Sequence, residues 1–423
     1  MQKSLHNLFA NMNINRELLL LLFIGGLYSL GIFLSNTFVN IYLWKQSGEY
    51  ITIAIYNLGI YIFQPATFIV AGKIAKRIDR IIVLRLGVIF LSIFFLCVLI
   101  IGESASKYNF MLGSLLGIGY GFYWLAFNVL TFEITEPESR DFFNGTLGVL
   151  QSFGGMVGPL VAGLIISKMS ANIGYTIIFT ISFILFISAV VSSFFLKRRQ
   201  AEGEFYFRKV LNERKYNKNW ARVLYAHLFQ GLREGMFLFV ITVWVFLITN
   251  SEFALGMFNL FLSGLSFVFY FVATKFITPP LRKKAIFIGG LMIYFSIYII
   301  LFKLTYIHLI FYAVIIGVAY PIINVPYISM TYDVIGKARQ AKELRVEYIV
   351  IRELFVNLGR VLSIVAFIIG VTLFSAEKII PILLAVFGIG YLFIHHFMKK
   401  VNLRAPHGQE VLVKEQLTDE KNR

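Results

Sequence analysis

Two acidic side chains, Glu234 and Glu353, lie deep inside long apolar runs of this 423-residue chain, and three arginines, Arg233, Arg352 and Arg360, lie there with them. A charge at the centre of a run long enough to cross a bilayer costs at least ~2.5 kcal/mol, so such a residue faces a water-filled cavity or a partner and marks a functional site by default. A carboxyl group in a low dielectric holds its proton more tightly, which suits a residue that takes up and releases a proton. Glu234 sits within Leu224–Leu247, with His227 and Gln230 on the same helical stripe at spacings of seven and four. Arg233 points about 100° away from Glu234, so adjacent numbering does not make them a direct pair. Glu353, Asn357 and Arg360 fall at i, i+4 and i+7 on one face, with Arg352 off it. The chemistry expected is that Glu234 or Glu353 is neutralised by Arg360 in one state and protonated in the other. The alternative is a permanent ion-pair network between the seventh and eleventh helices.

The elements that hold these charges follow from composition. The chain is 58% hydrophobic, more apolar surface than a soluble core can absorb, so it is expected to be an all-α integral membrane protein. Apolar runs predict about twelve transmembrane helices, near 18–43, 51–71, 82–102, 108–131, 143–167, 173–196, 223–248, 253–277, 285–303, 306–331, 348–374 and 379–398. The first run is long enough to stay as a span rather than serve as a cleaved leader. The +17 net charge is not read as a nucleic-acid signal, because the basic residues sit between spans. With the N-terminus inside, inner segments hold 29 of the 39 Lys and Arg residues and outer loops hold 5. That asymmetry predicts both termini in the cytoplasm and a bacterial inner-membrane location. The single cysteine, Cys97, excludes a disulfide framework.

The halves repeat. Ala71 and Lys73 recur as Ala273 and Lys275, Asn57-Leu58 as Asn259-Leu260, Gly117 to Tyr120 as Gly317 to Tyr320, and Thr131 to Ile134 as Thr331 to Val334, all at offsets of 200 or 202 residues. Several matches in order at nearly one offset predict two six-helix halves in parallel orientation, 1–196 and 223–398. Between them, 197–222 reads as a solvated basic linker lying on anionic lipid, and 399–423 as a polar cytoplasmic tail.

In these features the whole chain resembles the major facilitator superfamily. The sharpest motif, in the fifth span, has Gly154, Gly158, Pro159 and Gly163 and is similar to the G-x-x-x-G-P-x-x-G-G motif of the drug:proton antiporter branches, with Ala162 its one departure. Gly154 and Gly158 leave a smooth face for close helix contact, and Pro159 bends the helix. The loop after the second span retains Gly72 and Arg80 of the family's acidic and basic gate motif. Lys76 stands at its Asp position, and Asp79 is the candidate substitute one turn later. The general form resembles a Gram-positive bacterial group within the family and supplies no substrate.

The resemblance implies a central cavity lined by the first, fourth, seventh and tenth helices. On them lie Tyr28, Asn36 and Asn40; Tyr120, Tyr123, Trp124 and Asn128; Gln230, Glu234 and Trp244; and Tyr320, Asn324 and Tyr327. Large rings with a few amides suit an amphipathic ligand better than a bare ion. No phosphate-binding Gly-Lys-Ser/Thr loop, metal-spaced histidine pair or soluble catalytic domain is found in the sequence, so neither cofactor nor metal nor enzyme activity is expected. The reading is a monomeric secondary transporter working by alternating access, exporting an amphipathic or drug-like compound in exchange for protons. Movement of a lipid-linked or envelope precursor is the alternative within transport. A non-transporting scaffold or sensor is the alternative outside it.

Overall fold

The computed structural model describes residues 16–134, 137–198 and 203–402. Among these, eleven apolar stretches are long enough to cross a membrane. One of them, Arg80–Thr131, is 52 residues long and turns back on itself through a 3-10 segment, Gly102–Tyr108, so it contributes two spans. The twelve spans are α1 (Arg16–Ser47), α2 (Tyr50–Arg77), α3 (Arg80–Ile101), α4 (Asn109–Ile134), α5 (Pro137–Lys168), α6 (Ala171–Ser193), α7 (Lys218–Thr249), α8 (Glu252–Phe276), α9 (Arg282–Phe302), α10 (Tyr306–Gly336), α11 (Arg345–Leu373) and α12, which runs as Ala376–Gly388 and Gly390–Met398. All twelve expected spans are present.

Several helices run beyond the apolar stretch that announces them. The seventh begins at Lys218 instead of near 223, and the tenth runs on to Gly336 instead of stopping near 331. Capping explains the first of these. Asn217 accepts the Trp220 N–H at 3.0 Å, which satisfies an orphan donor of the first turn and lets polar residues start the helix. Asp79 caps α3 in the same way, accepting from Ile81 and Ile82. We call the end of the molecule that carries the 197–217 connection the linker end, and the other the far end.

The internal repeat reappears as geometry. Arg80 pairs with Glu133 at 2.8 Å, and Arg282 pairs with Asp333 at 2.7 Å. Thr131 and Thr331 each donate to the carbonyl four residues back, Phe127 and Tyr327. Gly117 faces the Ile60 carbonyl as Gly317 faces that of Leu262, both with no space for a Cβ. The tight turns between α1 and α2 and between α7 and α8 each place one residue in the left-handed region, Gly48 (φ 66°) and Asn250 (φ 47°). Glycine and asparagine are the residues that accept that region most readily.

The described part of the connection between the halves, 203–217, is folded. It contains a short helix, Phe207–Glu213, whose Val210 is buried and whose Val210 carbonyl accepts the Trp220 indole N–H at 3.3 Å. Apolar Phe205, Phe207 and Leu211 pack on the core, so this part rests on protein rather than lying free on a lipid surface. The part of the expected tail beyond Asn402 lies outside the described residues.

Candidate functional site

The deep charges are positioned by glycines. A Cβ on Gly231 would collide with the Val356 carbonyl, one on Gly359 with that of Leu228, and one on Gly235 would lie 2.5 Å from that of Arg360. α7 and α11 therefore touch backbone to backbone, as small residues allow. That closeness brings Glu234 and Arg360 together across 126 residues of sequence: Arg360 Nη2 donates to Glu234 Oε2 at 2.7 Å. Glu234 Oε1 accepts from Gln230 Nε2 at 2.9 Å and from the Tyr391 hydroxyl at 3.0 Å. Arg360 Nη1 also donates to Asn357 Oδ1 at 3.2 Å. Its guanidinium lies 4.9 Å from the ring centre of Tyr61, on α2 of the other half. Both oxygens of the carboxylate are thus engaged, which is what a buried ion pair needs to offset its desolvation.

The other deep charges are arranged separately. Arg352 donates to its neighbour Glu353 at 2.6 Å, with the Tyr332 ring 5.9 Å from the guanidinium. Arg233 points away from Glu234 into the packing of α7, α10 and α12. It lies 4.6 Å and 4.8 Å from the ring centres of Phe237 and Tyr391 and donates to the Tyr312 hydroxyl at 3.2 Å. Among the described residues it has no carboxylate partner. His227 Nδ1 lies 2.9 Å from the Val223 carbonyl oxygen, and its ring lies 4.7 Å from that of Tyr327, without a bond to Glu234.

The aromatic candidates divide into packed and partly exposed groups. Tyr28 and Tyr123 stack at 3.9 Å and are buried with Phe186 and Phe127, so they are core of the first half. Tyr327, Trp244, Asn40 and Asn357 are also buried, and Asn40 is occupied by a 2.9 Å hydrogen bond from Asn57. Asn36, Tyr120, Trp124, Asn128, Gln230, Tyr320 and Asn324 keep partial exposure. Asn324 donates to the Tyr270 hydroxyl at 3.1 Å. Tyr61, Tyr270, Tyr312 and Tyr391, which the sequence reading did not single out, complete the surroundings of the deep charges. The repeat offset carries no signal for them, and only the three-dimensional packing brings them in.

A family model described as Major Facilitator Superfamily matches residues 19–364, most of the chain. The chain belongs to the major facilitator superfamily. A Bacillus subtilis (strain 168) protein described as "Uncharacterized protein YqgE" is 53% identical over 411 residues, 97% of this chain and 96% of that one. A Geobacillus stearothermophilus protein described as "Uncharacterized protein in sodM 3'region" is 58% identical over 193 residues, 46% of this chain and 90% of that one. A solved structure titled "Crystal structure of auto inhibited POT family peptide transporter" superposes with a TM-score of 0.71 at 10% identity, covering 92% of this chain and 98% of that one, and shares the fold. Membership makes this a multi-pass membrane protein of a secondary-transport family.

In this superfamily member the fifth-span motif sits between the halves. Gly154 and Gly158 face Ser29, Phe33 and Leu34 of α1, while the Pro159 carbonyl meets Gly256 of α8 and Gly163 meets the Glu252 carbonyl. Ion pairs bridge the halves at both ends. At the far end Lys45 pairs with Glu252 at 2.7 Å, and Glu252 also accepts the Tyr175 hydroxyl at 3.1 Å. A cavity of about 360 Å³ opens beside this bridge, lined by Tyr42, Lys45, Gln46, Glu103, Asn172 and Tyr175, at the opposite end from the linker. At the linker end Lys76 pairs with Glu347 at 2.9 Å. The bridge there is made by Lys76, at the motif's usual acidic position. Asp79, the expected substitute, is fully buried within the first half as the α3 cap and pairs with Arg198 at 3.2 Å. Arg80 pairs with Glu133 of its own half, and Gly72 gives room to the Phe205 ring.

Proposed function

We propose that this protein is a proton-coupled secondary transporter working by alternating access, exporting an amphipathic or drug-like organic compound in exchange for protons. It acts as a monomer in the bacterial cytoplasmic membrane, with both termini inside. One observation carries the coupling: the buried Glu234–Arg360 pair of the second half rests on the Tyr61 ring of the first. Protonating Glu234 leaves Arg360 without its carboxylate, so its hold on Tyr61 and on any ligand between the halves changes with the proton. The partly exposed rings Tyr120, Trp124 and Tyr320 supply an apolar, hydrogen-bonding wall for the compound.

The test uses inverted membrane vesicles carrying a proton gradient and a pH-reporting dye, challenged with a panel of amphipathic fluorescent compounds. Compound-dependent proton release is expected with the wild type and absent with Glu234→Gln. Equal release by the two proteins removes Glu234 from coupling.

A second reading rests on the deep charge inventory of three arginines and two glutamates. With Arg233 held, among the described residues, by rings and a hydroxyl, the deep charges sum to an excess positive charge. An organic anion would take the carboxylate's place on Arg360 while Glu234 carries the proton, so the two would travel together. The direction of the pH change on adding compound separates the readings: exchange and co-transport move protons in opposite senses.

A further inference from the structure

We propose that residues 203–210, before α7, form a detachable strap that closes the linker end of the transport path, with Glu347 as its buckle. The inference rests on the alternating-access reading above, because it requires the halves to part at this end.

The strap is attached to both halves within a few residues. On the first half, Arg198 pairs with Asp79, and the Gly203 N–H donates to the Lys76 carbonyl at 2.9 Å. On the second half, the Tyr206 N–H donates to Glu347 Oε1 at 3.1 Å and Lys209 Nζ donates to Gln340 Oε1 at 2.5 Å. Phe205 sits between these anchors. Its ring occupies the space above Gly72 of α2, where a Cβ would lie 2.8 Å from the ring and 3.3 Å from Val350 of α11. The ring therefore plugs the seam between α2 and α11.

Glu347 joins the parts. It is fully buried, and its Oε1 accepts both the Lys76 ammonium at 2.9 Å and the Tyr206 N–H. Lys76 also donates to the Glu343 carbonyl at 2.5 Å. Glu347 Oε2 has no hydrogen-bond partner among the described residues. A buried carboxylate with half its capacity unused is held by its two partners on Oε1, so removing either exposes it to loss of the other.

Chain length makes the strap incompatible with an open linker end. Gly203 and Tyr206 are three residues apart, and three residues span at most about 11 Å when fully extended. Once the Lys76 and Glu347 anchors lie further apart than that, Gly203 cannot stay on Lys76 while Tyr206 stays on Glu347. The second-half anchor includes buried Val210 against Trp220 of α7, so the strap remains with the second half. Gly203 and Phe205 are the contacts that release.

The test measures distances between spin labels on exposed Arg77 and Lys342, flanking the seam, in full-length protein reconstituted in lipid nanodiscs. Cys97, the free cysteine, is first replaced by serine. The wild type is expected to hold a short distance. F205A and K76M are each expected to add a population at a distinctly longer distance. If K76M lengthens the distance and F205A leaves it unchanged, the strap is a passenger and the proposal falls, while alternating access stands. If neither lengthens it, both fall. Hydrogen exchange gives an independent readout should F205A not fold. In K76M the Gly203 amide is expected to exchange at least ~10-fold faster than in the wild type, as a local opening requires, while the Tyr206 amide keeps its protection. Unchanged protection of Gly203 overturns the strap.

Discussion

The helix pair α1–α5 and the helix pair α7–α11 are the same construction with different contents. In the first, Gly154 and Gly158 bring α5 onto Ser29, Phe33 and Leu34; in the second, Gly231, Gly235 and Gly359 bring α7 onto α11. At the repeat offset of 200–202, Glu234 corresponds to positions 32–34 and Arg360 to positions 158–160. Those positions hold Ile32-Phe33-Leu34 and Gly158-Pro159-Leu160, which also meet face to face. What recurs in both pairs is close backbone contact. Of these two pairs only α7–α11 carries charge, and around it both halves present rings and amides while the deep ions belong to the second. Peripheral ion pairs, Arg80–Glu133 and Arg282–Asp333, do recur and so belong to the shared architecture. The features that break the repeat are where the function is to be sought.

Mutations can break or sharpen this contrast. The largest effect is expected from Arg360→Ala, which strands a buried carboxylate. Removing one partner of a buried pair costs about 3–5 kcal/mol, and the partial exposure of Arg360 puts this case near the low end. Thermal unfolding in detergent reads it, and the Glu234→Gln/Arg360→Gln double variant is expected to recover most of the loss. A double variant as unstable as the single would mean packing, not charge, holds α7 to α11.

Next come two matched glycine variants. Gly158→Ala and Gly231→Ala each push a Cβ into the facing helix and should cost about 1–3 kcal/mol. Both lower the melting temperature, yet only Gly231→Ala is expected to alter the proton response in vesicles. Equal loss of response in both would erase the contrast. Tyr391→Phe removes one hydrogen bond to a carboxylate and should cost at most about 1.5–3 kcal/mol. The smallest structural effect belongs to Tyr120→Phe, partly exposed on the ring-lined side, at within ~0.5 kcal/mol. Its expected signature is a few-fold change in compound preference with the pH dependence intact.

The fold was legible because a bilayer imposes a length and a polarity on every span, and those are written in single residues. Helix ends were less so: Lys218 and Gly336 belong to helices through capping and packing, which hydropathy does not register. The deep charges were legible for the same reason as the spans, since each stands against an apolar background. Their partners were only partly so. Helical spacing put Asn357 and Arg360 on one face, but choosing Glu234 over Glu353 for Arg360 depended on Gly231, Gly235 and Gly359, residues whose effect is to leave space. Tyr61, which supplies the contact across the halves, looks in sequence like any other ring in a chain that is 17% aromatic. The inner-loop motif misdirected for a physical reason as well. Asp79 is the acid nearest the expected position, but a residue directly before α3 is taken up as that helix's cap, and Lys76 is left to cross the seam.

Because the glycines join α7 and α11 backbone to backbone, the two helices pack as one unit within the second half. A hinge motion between the halves leaves the separation of Glu234 from Arg360 unaltered, so motion alone cannot undo that contact. Only a change in composition at the pair, a proton gained or a competing group arriving, can do so. Release of that pair is thus a local chemical event, separate from any change in how the two halves lie against each other.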